Sequence, residues 1–427
     1  MSFPLPGRIL PLAPATFRAL RHRDFRMLWI GMLVSLSGRW MQTVAQGWLV
    51  LRLSDSPFLL GLVGFFTFLP VLLFALPAGV AADRLPRRVT LMWTQGLSMV
   101  LALALATLTW LEVVQVWHVA VLAFLTGAVG ALDIPVRQSL LQDLVGRDDL
   151  PNAIALNSLA FNMSRTLGPA LAGAMLAFTG EATIFLANGV TYVAVLVALW
   201  TMRHRPHVRP AERVSWVGQI RDGIAFAARE PRMRSVLLLV VVTSVFGAPY
   251  TILLPVFARD ILQVGSSGLG WMMGAAGLGA VAGALSLAGR RGRVRAGRTV
   301  AIAMALFGLA LVGFSQARVF GVALALLAVV GGAMIVQMAT SNTALQLLSP
   351  PGLRGRIISL YLLAFMGMAP VGSLLAGTLA REIGTARTVM VGGVVCAVTA
   401  VWFATRIPAL RAAAEALEAS AGGAAAS

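Results

Sequence analysis

The chain has 427 residues, of which 58% are hydrophobic and only 12% charged, and its mean hydropathy is +0.84. Soluble domains carry about a quarter charged residues, so an ordinary soluble enzyme is excluded and the chain reads as an all-α integral membrane protein. The formal charge of +18 comes from 34 basic residues, every one of them arginine, so its meaning depends on where the arginines sit.

Residues 1–26 hold five arginines and lack the apolar stretch and cleavage site of a signal peptide, so they read as a cytoplasmic segment. A spanning helix takes roughly 20 apolar residues. Six such runs, near 27–52, 58–82, 89–111, 116–136, 152–178 and 182–202, make a first half over 27–202. The polar stretch 203–234 is a cytoplasmic loop, in which Trp216, Ile220, Ile224 and Ala227 fall on one helical face. An amphipathic helix of that kind suits an anionic inner leaflet. Six further runs, near 235–258, 268–289, 299–315, 319–340, 357–380 and 388–405, make a second half over 235–405. Residues 406–427 form a cytoplasmic tail.

With both termini inside, 27 of the 34 arginines fall in cytoplasmic segments and five on the opposite side. Positive residues collect on the cytoplasmic side of membrane proteins, so the alternation supports both the span count and a multi-pass protein of the cell (inner) membrane. The charge is divided among loops, which removes nucleic acid as a partner and leaves the lipid bilayer. Two arginines, Arg39 and Arg165, lie inside spans.

A shift of 204 residues brings Leu159-Ala160-Phe161 onto Leu363-Ala364-Phe365, Gly168 onto Gly372 and Leu171-Ala172-Gly173 onto Leu375-Ala376-Gly377. The same shift sets Gly61, Gly64, Ala78 and Gly79 on Gly265, Gly268, Ala282 and Gly283. Span five thus corresponds to eleven and span two to eight. Two parallel six-helix halves with a site between them are a transporter architecture.

Intramembrane polar residues are expensive and point to function. Arg39, Gln42 and Gln46 share a helical face, expected to line a central cavity and to favour an anionic or carboxylate-bearing substrate. Asn157, Asn162 and Arg165 turn span five to the same cavity, and Tyr250 and Gln337 join it from spans seven and ten. No Asp or Glu falls at the centre of a span; Glu112, Glu181 and Glu382 sit at outer ends and Asp133 at the inner end of span four. The single cysteine, Cys396, and four scattered histidines form no metal pattern. No catalytic constellation, metal or cofactor is expected, and the chain is not read as an enzyme.

After span two come Gly79, Asp83, Arg84, Arg87 and Arg88. They resemble the loop signature of the major facilitator superfamily. In that family's terms Gly79 permits close helix approach, Asp83 neutralises the N-terminus of span eleven, and the arginines pair with Asp133. Such a cluster latches the outward-facing state. The second-half copy has Leu287 at the place of Asp83, so the latch is one-sided.

The likeness extends along most of the chain. Phe17-Arg18-Ala19-Leu20, Asp24-Phe25-Arg26, the run from Trp40 to Val50, Ser56-Pro57, Asp133 to Gln138, Leu150 to Ala153 and Leu353 to Arg356 resemble the branch containing enterobactin-type exporters and transmembrane secretion effectors. Arg165, Gly168, Pro169 and Gly173 are similar to the Gly-Pro signature of exporting members. Two departures stand out: Arg39 replaces a small or acidic residue, and span four lacks the usual arginine signature. The resemblance implies a secondary active exporter of drug-like or siderophore-like small molecules, working as a monomer by alternating access with proton antiport. An uptake carrier or a lipid/lysolipid flippase of the same fold is the alternative.

Overall fold

A computed structural model of the chain describes residues 17–203, 225–288, 296–350 and 353–424. The predicted amphipathic helix falls largely outside these residues, as does most of the N-terminal segment. No strand occurs among the described residues.

Among the described residues twelve long helices account for the fold. The first three are α1 (Arg23–Ser54), α2 (Pro57–Arg84) and α3 (Arg87–Trp110). The run Val116–Trp200 is hydrogen-bonded as one element but turns at Gly146 and Gly180, where φ is 70° and 73°. Only glycine adopts such angles without strain, so these two residues divide the run into α4 (116–145), α5 (147–179) and α6 (181–200). The second half contains α7 (Pro231–Ile261), α8 (Gly265–Ala288), α9 (Ala296–Gln316), α10 (Phe320–Leu348), α11 (Arg354–Ile383) and α12 (Thr385–Ala424).

One boundary matters for function. Span four runs on to 145, because Leu140, Leu141, Leu144 and Val145 continue its buried apolar face past the polar pair Arg137-Gln138. Asp133 and Arg137 therefore lie within helix α4 and not in a loop, one turn apart.

Helices α7 and α11 each contain a wide turn, at Thr243–Gly247 and Leu363–Gly367. Pro249 and Pro370 follow these turns and cannot donate to the helix ladder, so local widening re-satisfies the backbone. Ser244 Oγ donates to the Phe365 carbonyl and ties one widened segment to the other.

Within the first half, α1, α2 and α3 pack on the α4–α6 run; within the second, α9 packs on α10 and α12, and α10 on α8. The halves meet along two lines, α2 with α11 and α5 with α8. Under the internal repeat each line is the image of the other. Close approach marks both. A Cβ built on Gly61 would stand 2.6 Å from Gly377 Cα, and one on Gly173 would stand 2.6 Å from Gly270 Cα. Backbones touch at these crossings because no side chain intervenes.

The repeat also holds inside the halves. A Cβ on Gly168 would meet the Ser37 carbonyl at 2.9 Å, and one on Gly372 would meet the Ser244 carbonyl at 2.6 Å. The register is not uniform, however. The starts of α1 and α7 differ by 208 residues, as do those of α2 and α8, whereas the starts of α4 and α10 differ by 204. The pairing of Gly61 with Gly265 is thus displaced by about one turn. Gly265 instead begins α8 at φ 67°, and Gly270 makes the crossing.

Both crossings lie toward the ends of the helices remote from the arginine-rich loops. An ion pair joins the halves there as well: Arg259 Nη1 reaches Asp55 Oδ1 at 2.6 Å and the Leu51 carbonyl at 3.2 Å. Toward the arginine-rich side the apolar residues Ile154, Leu159 and Phe161 of α5 and Leu362 and Met366 of α11 are exposed. The molecule is a wedge, closed at the far side and open at the arginine-rich side.

The crossings generate a test. Gly173→Val should cost about 1–3 kcal/mol through overpacking and lower the thermal midpoint of the purified protein. Gly79→Ala, whose added methyl meets nothing within 4 Å, should leave the midpoint unchanged.

Candidate functional site

Four helices of the first half converge on one buried polar cluster. From α4 comes Asp133, 2% exposed, with Arg137 one turn later, so both point the same way. From α3 come Thr94 and Gln95, whose Oγ1 and Nε2 donate to Asp133 Oδ1 at 2.9 and 2.7 Å. Arg137 Nε stands 3.6 Å from Asp133 Oδ2, within ion-pair range but beyond a hydrogen bond. From α1 comes Arg39, within electrostatic reach of Asp133 and of Tyr192 on α6. Four buried atoms have no hydrogen-bond partner: Arg39 Nε, Arg137 Nε, Asp133 Oδ2 and Gln95 Oε1.

The cluster corrects one expectation. Asp133 does not receive the arginines that follow α2. Arg87 Nη1 instead binds Asp143 Oδ2 at 2.5 Å and the Ser139 carbonyl at 3.4 Å, one helical stretch beyond Asp133. Arg88 donates to the Trp200 carbonyl at 2.9 Å, and Arg84 is exposed. The backbone of Asp83 closes α2, but its side chain lies outside the described residues. Gly79 has open space around it and makes no close approach. These contacts of Arg87 and Arg88 stay within the first half, as a disengaged latch would in a wedge open on this side.

The polar face of α1 also points elsewhere than expected. Asn188 on α6 donates to Gln42 Oε1 at 2.5 Å, so this face packs into the first half as well as bordering its inner space. Gln46 and Asn157 are partly buried, and Asn162 donates to the Ser158 carbonyl of its own helix at 2.8 Å. Arg165 on α5 and Tyr250 on α7 interact electrostatically across the two halves, near the closed end of the wedge. Trp40 and Phe161 meet edge to face at 5.9 Å beside the same opening.

The Gly-Pro segment of α5 serves two neighbours. Gly168 seats α5 on α1, and Gly173 with the Pro169 carbonyl seats it on α8 of the other half. Arg165 therefore stands one turn from the Pro169 carbonyl, where α5 meets α8. Gln337 on α10 is 1% exposed, and neither of its amide atoms has a hydrogen-bond partner; Thr340 and Ser341 beside it are likewise buried with unpartnered hydroxyls. Among the described residues no group of three or more His, Cys, Asp or Glu side chains could hold a metal ion.

Inspection of the sequence missed Thr94, Gln95, Arg137, Tyr192 and Asp143. The i, i+4 spacing of Asp133 and Arg137 in an otherwise apolar stretch is the one signal that could have found the cluster.

The family described as transmembrane secretion effector matches residues 14–422. The chain is 26% identical over 377 residues to the staphyloferrin A transporter of Staphylococcus aureus, covering 86% of this chain and 93% of that one. It is 26% identical over 361 residues to the multidrug efflux pump Tap of Mycolicibacterium fortuitum, covering 82% and 88%. A solved structure of similar fold is a bacterial homologue of the human lysosomal transporter Spinster, inward-facing and unoccupied. It has a TM-score of 0.72 at 13% identity and covers 92% of this chain and 96% of that one.

Removing one member of a buried ion cluster is costly. Asp133→Ala should destabilise the protein by about 3–5 kcal/mol, read as a fall in its unfolding midpoint in detergent. Asp55→Ala removes a 78%-exposed partner of Arg259 and should leave that midpoint nearly unchanged.

Proposed function

Because this chain belongs to the transmembrane secretion effector family of the major facilitator superfamily, we propose that it exports small drug-like or siderophore-like molecules by alternating access with proton antiport. It is a multi-pass membrane transporter, and transport rather than catalysis is its activity. The arginine-rich side is the cytoplasmic face, with both termini on it, and the working unit is a monomer.

The observation that carries the alternating-access reading is the wedge. Contacts between the halves collect at the far side, where Gly61 meets Gly377, Gly173 meets Gly270 and Asp55 meets Arg259. Substrate enters the open side, between α2, α5, α8 and α11. Closing that side while opening the other requires the halves to rock about the glycine crossings. The loop after α2, with Gly79, Asp83, Arg84, Arg87 and Arg88, acts as the latch of the outward-facing state. The printed activities of the relatives, one a transporter of staphyloferrin A and one a multidrug efflux pump, support export. Proton coupling requires a buried titratable group, and Asp133, buried in α4, is the carboxylate we assign to it.

Transport into inverted vesicles with an acidic lumen tests the reading, using a panel of cationic drugs and carboxylate-bearing siderophore-like anions. Accumulation that collapses when the pH gradient is dissipated is expected. Movement that ignores the gradient would defeat the antiport, and absence of movement for the whole panel would defeat export of these classes. In the same vesicles Asp143→Asn, which removes the carboxylate from Arg87, should change the turnover rate more than the apparent substrate affinity.

A further inference from the structure

The polar cluster of the first half is out of charge balance. Arginine keeps its proton, so Arg39 and Arg137 bring two positive charges to the single carboxylate of Asp133. The two guanidinium groups also lie close enough to repel each other. A net positive charge within a membrane-spanning bundle costs several kcal/mol unless something neutralises it. The hydrogen bonds point the same way. Asp133 Oδ1 is occupied by Thr94 and Gln95, and Asp133 Oδ2 faces Arg137 Nε at 3.6 Å, yet Arg39 Nε is buried with no hydrogen-bond partner. An unused charged donor beside one uncompensated charge describes the chemistry of an anion site.

The second half provides an internal comparison. The starts of α4 and α10 are 204 residues apart, so Gln337 and Ser341 take the places of Asp133 and Arg137. The starts of α6 and α12 are also 204 apart, which sets Cys396 at the place of Tyr192. Facing it is Gly247 of α7, whose added Cβ would stand 3.1 Å from Cys396 Sγ and would collide with the Phe307 ring. Arg39 faces Tyr192 in the same manner. The same location is thus neutral and filled by Phe307 in one half, and charged with an unpartnered donor in the other. Packing alone is satisfied without the charges, so the charges are there for another purpose.

We infer that Arg39 and Arg137, with Asp133 holding Arg137 in place, form a binding site for a small monovalent anionic group, a halide ion or the carboxylate of a larger solute. Arg39 is partly exposed, whereas Asp133 and Arg137 are buried, so an entering anion reaches Arg39 first. The inference builds on the export reading only for its biological use, because binding is measured without transport or a pH gradient.

The test uses the full-length protein in detergent and an isethionate buffer. Chloride and citrate are titrated separately, and the thermal midpoint is followed. A saturable rise with either probe is expected. Chloride alone would identify an inorganic ion as the occupant, and citrate with competition by chloride would identify a solute carboxylate. Arg39→Gln should weaken the response about tenfold or more, the loss expected for a charge-assisted hydrogen bond. Arg381→Gln, at an exposed arginine of the far side, should leave it unchanged. No saturable response in the parent protein, or an equal response in Arg39→Gln, overturns the inference. Should Arg39→Gln not fold, crystals soaked in bromide decide: an anomalous peak between Arg39 and Arg137 supports the site and its absence removes it. Failure of the vesicle assay with binding intact would defeat the export reading alone.

Discussion

Backbone contact between glycines is the constraint from which the shape of this molecule follows. Lipid offers helices no hydrophobic reason to associate, so association depends on how closely they approach. Gly61 against Gly377 and Gly173 against Gly270 bring two pairs of helices together without intervening side chains. These crossings lie at one end of the helices, so the halves splay toward the other. Residues near the crossings, including Arg165 and Tyr250, sit where a rocking motion moves them least. Residues at the loops after α2 and α4 sit where it moves them most.

Two halves of common descent have been put to different uses. Their packing devices are duplicated: Gly168 and Gly372 each lie on a carbonyl of the neighbouring helix, and Gly173 and Gly377 each make a crossing. Their electrostatics are not. The first half buries Asp133 and Arg137 beside a partly exposed Arg39, while the second places Gly247, Gln337 and Ser341 at the corresponding level. The crossings are therefore alike in the two halves, whereas the buried charge belongs to the first half alone among the positions compared. The loop signature follows the same division, since Arg87 finds Asp143 in the first half and Leu287 replaces Asp83 in the second.

Several features of the site were legible in the residues. Arg39 stands out because an arginine in an apolar run is rare, and Gly168, Pro169 and Gly173 stand out as a group. Asp133 was recognised too, but its partner was not. Arg137-Gln138 reads as the start of a loop, and only the apolar face that resumes at Leu140 carries the helix on to 145. That small change of boundary puts Arg137 on the same helix as Asp133 and makes it the partner of that carboxylate. The face of Arg39, Gln42 and Gln46 shows a related difficulty. Their shared face follows from helical periodicity, but its direction does not, and Asn188 draws Gln42 into the first half.

The sequence by itself determined the number of helices, their grouping into two related halves and the gathering of the arginines in alternate loops. Each of these depends on local properties: the length of an apolar run, the repetition of a pattern and the cost of moving a charged loop across lipid. Only the tertiary structure decided what each polar residue meets. Asp143 rather than Asp133 takes Arg87, a methyl added at Gly79 would meet nothing, and Asp133 pairs with Arg137 within electrostatic reach of Arg39 on another helix. Those outcomes depend on how helices rotate and stack about residues far apart in the chain, and a helical pattern carries no information about its neighbour's position.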